Sequence, residues 1–250
     1  MTFPSSVSPR LWSSEEESFD RVLAICAHPD DVDFGCAATV ATMRRAGAAV
    51  RYCIITDGEA GGDDRAMSRG QMAEIRRGEQ LAAAAAVGVS EVTFLGYPDG
   101  RVSATLELRR DLSRVVREFR PDLVIAPSPE RNWNVIFASH PDHLAAGEAA
   151  VDAVYPDSRN PFAHPELLEE GLEPHTVRAL WLMAAPAANL AVDVTEAFEG
   201  KLAALSCHRS QGTDDPGLRD RLATRAGGAA TSAGLAEGRL AELFWAVGTG

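Results

Sequence analysis

Short apolar runs alternate with longer, mixed stretches through most of this 250-residue chain. The runs at 22–27, 50–56, 92–95 and 122–126 have the length and composition of buried strands, and the stretches at 35–46, 71–87 and 105–119 between them read as helices. Gly88 stops the second of these helices, and Arg120-Pro121 stops the third. A β-α-β-α-β-α-β succession predicts a Rossmann-like α/β fold: an open, mostly parallel sheet with helices on both faces. Further on, 140–154 reads as a helix, 177–184 and 190–194 as strands, and 195–207 as a helix. The stretch 227–238, rich in Ala, Gly and Ser, reads either as a mobile loop or as the start of a last helix running to Trp245. Residues 1–20 look like a loose arm; 21–250 show no repeat and no dividing linker, so one domain is expected.

Composition excludes more than it selects. A formal charge of −12 argues against a general affinity for nucleic acid or anionic membrane, both of which need clustered cations. The opening residues carry Glu15-Glu16-Glu17 and no apolar core of a secretory signal, and no apolar run reaches the roughly 18 residues of a membrane span. A cytoplasmic location is therefore expected. Cys26, Cys36, Cys53 and Cys207 lack metal-ligand spacing and read as free thiols. The oligomeric state is not legible, and a homo-oligomer is allowed.

The chemistry is concentrated in two clusters. Ala27-His28-Pro29-Asp30-Asp31 follows the first apolar run directly, and Ser139-His140-Pro141-Asp142-His143 comes shortly after Leu123-Val124-Ile125-Ala126. In a doubly wound sheet of strand order 3-2-1-4, the first and fourth strands are neighbours, and ligands bind beyond their carboxyl ends, where the winding reverses. The two clusters are thus expected to meet. Together they can offer a divalent metal two imidazoles and a carboxylate, with acids and bases to spare, which is the inventory of a metal-activated water. The first turn does not fit the Gly-x-Gly-x-x-Gly pattern, so dinucleotide chemistry is disfavoured.

These two clusters, with Gly35, resemble the signature motifs of the LmbE-like or PIG-L family of zinc-dependent de-N-acetylases. Further matches are Thr56-Asp57-Gly58-Glu59, Arg76 to Glu79 with Gly88-Val89, Leu95-Gly96-Tyr97-Pro98-Asp99-Gly100, and His208-Arg209-Ser210-Gln211, in order over residues 22–211. The resemblance implies that His28, Asp31 and His143 bind the metal, that Asp30 is the general base, and that His140, protonated, faces the developing oxyanion. It makes Arg76 a substrate contact; Asp57 and Glu59 end the second strand and are placed as metal-orienting or sugar-binding groups, and Asp142 as a group that orients a ring, contacts substrate or starts the helix. The family often has Glu after the paired aspartates; here Val32 stands there, followed by Asp33. His208 and the segment 127–139, with Trp133 and Phe137, receive no assigned role.

The resulting expectation is a single-domain hydrolase that removes an N-acetyl or other N-acyl group from a small glucosamine-containing compound. Zn2+ is the expected cofactor, with Fe2+ as the alternative. Two rivals stand beside it: an amidase of thiol–sugar conjugates or natural-product intermediates, and a non-catalytic binding protein stabilised by its metal.

Overall fold

The computed structural model describes residues 8–62 and 64–250; residues 1–7 of the expected arm and Asp63 lie outside the described residues. In the strand Arg21–Cys26 (β2) every residue after Arg21 is buried. Val22, Ala24 and Cys26 enter one apolar layer, and Leu23 and Ile25 the other. This two-residue alternation, with both faces apolar, is what a strand covered on both sides requires. Helices Ala37–Arg45 (α2), Arg69–Ala86 (α3) and Phe198–Leu205 (α7) contribute to the first layer. Helices Leu106–Phe119 (α4) and Pro141–Asp152 (α5) contribute to the second.

The remaining strands are Arg10–Leu11 (β1), Ala49–Thr56 (β3), Glu91–Tyr97 (β4), Leu123–Pro127 (β5), Ala179–Met183 (β6), Leu190–Asp193 (β7) and Ala241–Gly248 (β8). Short helices Asp31–Gly35 (α1) and Pro165–Glu169 (α6) and a longer one, Leu218–Ser232 (α8), complete the labels used below. Among the described residues the sheet runs β1-β7-β8-β6-β5-β2-β3-β4. The segment β4-β3-β2-β5 is the 3-2-1-4 order read from the sequence, and it sets Val22 opposite Leu123 in parallel register.

Three expectations change. The described part of the arm is not loose: Arg10 and Leu11 pair in parallel with β7, and Trp12 and Phe19 meet the buried Trp181 edge-on at 5.9 and 5.6 Å. The helix expected over 35–46 is α2, beginning at Ala37, and a short helix not expected, α1, precedes it across Cys36. The end of the chain is neither a mobile loop nor a helix to Trp245. It is α8 followed by β8, which runs antiparallel between β6 and β7. Gly234 and Gly238, both at positive φ, provide the reversal between them. No described helix is long and apolar enough to cross a membrane.

Packing also fixes where α5 lies. A Cβ on Gly147 would sit 2.5 Å from the Pro127 carbonyl oxygen and 2.8 Å from Pro129 N, so glycine lets this helix lie directly on the end of β5. That contact brings the amino end of α5 to the carboxyl end of β2.

Candidate metal centre

His28, Asp30 and Asp31 occupy the turn out of β2, while His140 and His143 occupy the first turn of α5. The structure brings these residues together. His28 Nδ1 lies 3.2 Å from His143 Nε2 and 3.5 Å from Asp31 Oδ2, and His143 Nε2 lies 3.0 Å from Asp31 Oδ1. Donors about 2.0–2.2 Å from a tetrahedral metal stand about 3.4 Å apart, so this spacing suits one shared cation.

The outer nitrogens argue for the same centre. His28 Nε2 faces Asp99 Oδ1 at 3.1 Å and Asp142 Oδ2 at 3.2 Å, and His143 Nδ1 faces the Ala138 carbonyl at 3.3 Å. Each ring thus has an acceptor for its outer N–H, which turns its other lone pair inward. Two imidazole lone pairs and a carboxylate then converge, an arrangement that fits a divalent cation. A second acidic group, His28 with Asp99 and Asp142, is also compact enough to hold one. Its carboxylates, however, are already engaged: Asp142 accepts from Gly100 N at 2.7 Å and Val102 N at 3.2 Å, and Asp99 accepts from Ala60 N at 3.0 Å.

The excess of carboxylates governs the electrostatics. Burial works to lower the His28 pKa, but Asp142, Asp31 and Asp99 outweigh it and push the ring up to about 12. Burial opposes ionisation of Asp31, yet His143 and His28 hold its carboxyl well below the usual range. Asp30 goes the other way: burial, then the neighbouring Asp31 charge, push it up to about 7, against the pull of Arg76.

Asp30 sits at φ 95°, a left-handed conformation rare for a non-glycine residue. Its N–H donates to Gln80 Oε1 at 2.8 Å, and its Oδ2 lies 3.3 Å from Arg76 Nη2. His140 is the N-cap of α5, exposed, with Nδ1 accepting from Asp142 N at 3.2 Å. That bond puts the hydrogen of a neutral ring on Nε2. Burial and the neighbouring His28 and His143 lower its pKa.

The expected substrate contacts have other engagements. Arg76 is only 4% exposed, and its guanidinium donates to the Pro29 carbonyl at 2.5 Å and the Gly58 carbonyl at 3.0 Å. Asp142, 1% exposed, orients His28 and the 100–102 turn. Glu59 accepts from Asp99 N at 3.0 Å and Arg69 at 2.8 Å, and Asp57 pairs with Arg77 at 2.8 Å. Sequence reasoning gave no role to Asp99, Gln80 or Asp33. The signal for Asp99 was available, since it is an acidic residue in the turn leaving the strand beside β3. Gln80 carried none, being one polar residue in an otherwise ordinary helix.

A cavity of about 270 Å³ opens beside Asp31 and His143, walled by Phe34, Pro127, Phe137 and Met183 and reached by Arg225. Trp133 and Phe137 are 79% and 73% exposed on the segment leading into α5.

Several known proteins resemble this chain. The chain is 32% identical over 195 residues to a diacetylchitobiose deacetylase of Thermococcus kodakarensis, covering 78% of this chain and 71% of that one. It is 30% identical over 203 residues to a probable N-acetyl-alpha-D-glucosaminyl L-malate deacetylase of Bacillus anthracis, covering 76% of this chain and 80% of that one. The solved N,N'-diacetylchitobiose deacetylase from Pyrococcus horikoshii, complexed with an inhibitor, superposes with a TM-score of 0.84 at 33% identity, over 92% of this chain and 84% of that one. The profile of the PIG-L family, described as GlcNAc-PI de-N-acetylase, matches residues 23–154, and the chain belongs to that family.

Proposed function

We propose that this protein is a metal-dependent hydrolase that removes an N-acetyl group from a small glucosamine-containing compound. The observation that carries the reading is the convergence of His28 Nδ1, His143 Nε2 and Asp31 within 3.0–3.5 Å of one another, with Asp30 beside them. The relatives support the substrate class, since those named above are deacetylases of acetylated amino sugars.

His28, Asp31 and His143 would hold the cation, with zinc the expected ion and ferrous iron the alternative for this donor set. A cation there supplies Lewis acidity, polarising an amide carbonyl and easing the ionisation of water. Asp30 Oδ1, the oxygen not facing Arg76, takes a proton from the attacking water and delivers it to the amide nitrogen as the C–N bond breaks. His140 donates its Nε2–H to the carbonyl oxygen as that oxygen gains charge. Asp99 and Asp142 hold the His28 ring; Arg76 holds the turn that carries Asp30.

The test is amine release from N-acetylglucosamine and diacetylchitobiose, with metal content measured on the same preparation. Chelator-sensitive turnover is expected, with Asp30→Asn retaining metal but losing at least ~100-fold in kcat. An Asp30→Asn variant that turns over at the wild-type rate would refute the assignment of the base.

A further inference from the structure

We infer that Gln80 is a positioning residue for Asp30, and that the buried pair His208–Asp33 holds the Gln80 amide in its working orientation. The inference rests on the reading of Asp30 as the base.

Three elements meet behind the catalytic turn. Gln80 on α3, Asp33 on α1 and His208, which follows α7, are all fully buried. Gln80 Oε1 accepts from Asp30 N at 2.8 Å, and Gln80 Nε2 donates to Asp33 Oδ2 at 2.9 Å. The same Asp33 oxygen lies 2.8 Å from His208 Nε2, and the hydrogen of that contact is assigned to the ring. A main-chain N–H can only donate, and a carboxylate oxygen that receives two hydrogens only accepts. The two ends of the Gln80 amide therefore cannot be exchanged.

Asp30 has reason to need such a clamp. At φ 95° its backbone is in a region that side-chain-bearing residues avoid, and surrounding contacts must enforce it. The carbonyl side of Asp30 is held by the N–H groups of Asp33 and Phe34, both at 2.9 Å. On the amide side Gln80 is the hydrogen-bond partner. Released from it, Asp30 would relax toward negative φ and carry its carboxylate away from the reacting water.

The relay is also a poor choice for stability alone. Asp33 Oδ1 and His208 Nδ1 are buried without a hydrogen-bond partner among the described residues. Apolar side chains of similar size would fill the same space without two unsatisfied polar atoms. A chain of bonds that ends on the strained peptide of the base gives these polar groups a reason to be there.

The experiment compares wild type with Gln80→Met, which keeps shape but removes donor and acceptor, and with His208→Leu and His208→Gln. Amide hydrogen exchange of Asp30 is followed in metal-free protein, and kcat, KM and metal content in loaded protein. Expected for Gln80→Met are exchange at Asp30 at least ~100-fold faster and kcat lower by ~30–100-fold, with KM and metal content within about twofold. His208→Leu should show a smaller loss of the same kind, and His208→Gln, whose amide can donate to Asp33, should recover most of it. Should Gln80→Met fail to fold, the His208 pair decides by the same readouts. A folded Gln80→Met with wild-type kcat and a slowly exchanging Asp30 amide overturns the inference, even where Asp30→Asn is inactive. Absence of amine release by wild type would instead count against the deacetylase reading, while the exchange rate would still report whether Gln80 holds Asp30.

Discussion

Replacing Asp142 by Asn tests whether the carboxylates behind His28 set metal affinity. Asp142 accepts three hydrogens, from Gly100 N at 2.7 Å, Val102 N at 3.2 Å and His28 Nε2 at 3.2 Å. An Asn oxygen in place of Oδ2 serves Gly100 N and His28 and leaves the –NH2 facing Val102 N; flipped, it serves Val102 N alone and the –NH2 faces Gly100 N and His28. If it faces a main-chain N–H, a buried donor is orphaned at a cost of about 1–3 kcal/mol. If it faces His28, it favours moving the ring hydrogen to Nδ1, which removes the lone pair meant for the metal. Asp99, 3.1 Å from the same Nε2, resists that switch, so each single variant should lose about 10–100-fold in metal affinity, or about 1.4–2.7 kcal/mol. Asp99→Asn/Asp142→Asn should lose more than the sum, because neither carboxylate is left to hold the tautomer. Competition against a chromophoric chelator gives the affinity, and urea unfolding of metal-free protein separates it from stability. A folded double variant with affinity within about threefold of wild type would refute the orienting role.

Three further outcomes follow from the same structure. Lys201 Nζ and Glu242 Oε1 form a buried pair at 2.5 Å, so Lys201→Met should cost about 3–5 kcal/mol in urea unfolding, with much of it recovered in Lys201→Met/Glu242→Gln; a loss below about 1 kcal/mol would contradict this. Burial opposes ionisation of Asp193, but bonds from Thr195 and Arg239 hold its pKa below the ordinary value. A depressed carboxyl stabilises the fold above its unfolded pKa of about 3.9 and loses that contribution as pH falls through the folded value, so Asp193→Asn should be less stable at pH 7 and show a flatter loss in acid; parallel pH–stability curves would exclude the effect. The cavity beside Asp31, about 270 Å³ against the ~150 Å³ that admits benzene, should accept N-butyrylglucosamine with kcat/KM no lower than the acetyl compound; strict acetyl preference would assign that space to the sugar.

How much of this was legible in the chain depends on the range of the interaction concerned. The strand order around β2, the meeting of His28 and Asp31 with His140 and His143, and the strand and helix sites that carry them follow from local patterns plus one topological rule. The β8 strand was missed because Gly234 and Gly238 mask a reversal inside an Ala-rich stretch that resembles a helix, and because its pairing partners lie some 50 to 70 residues away. The arm was missed for a similar reason: two residues, Arg10 and Leu11, carry no periodicity, and what fastens the segment is the packing of Trp12 and Phe19 on Trp181. Gln80, Asp33 and His208 are linked across separations of 47 and 175 residues, and their residue types alone are those of a surface helix and a loop.

Arg76 and Asp142 have partners within the protein as well as a place beside the centre. Both are expected to contact the substrate, and both also hold other parts of the site: Arg76 the turn of Asp30, Asp142 the ring of His28. Side chains that reach outward beside the centre are of another kind: Phe34, Trp133, Phe137 and Arg225, exposed and largely apolar. The division follows the chain only in part. Every residue assigned to metal or proton transfer lies within residues 23–154, which match the family profile, as do Phe34, Trp133 and Phe137, whereas Met183 and Arg225, which wall the cavity, lie beyond it. A mutually paired set cannot change without disturbing the metal, but exposed side chains such as Trp133, Phe137 and Arg225 can. Substrate choice is therefore to be sought in Arg225 and the 131–139 segment, and reaction type in the paired set.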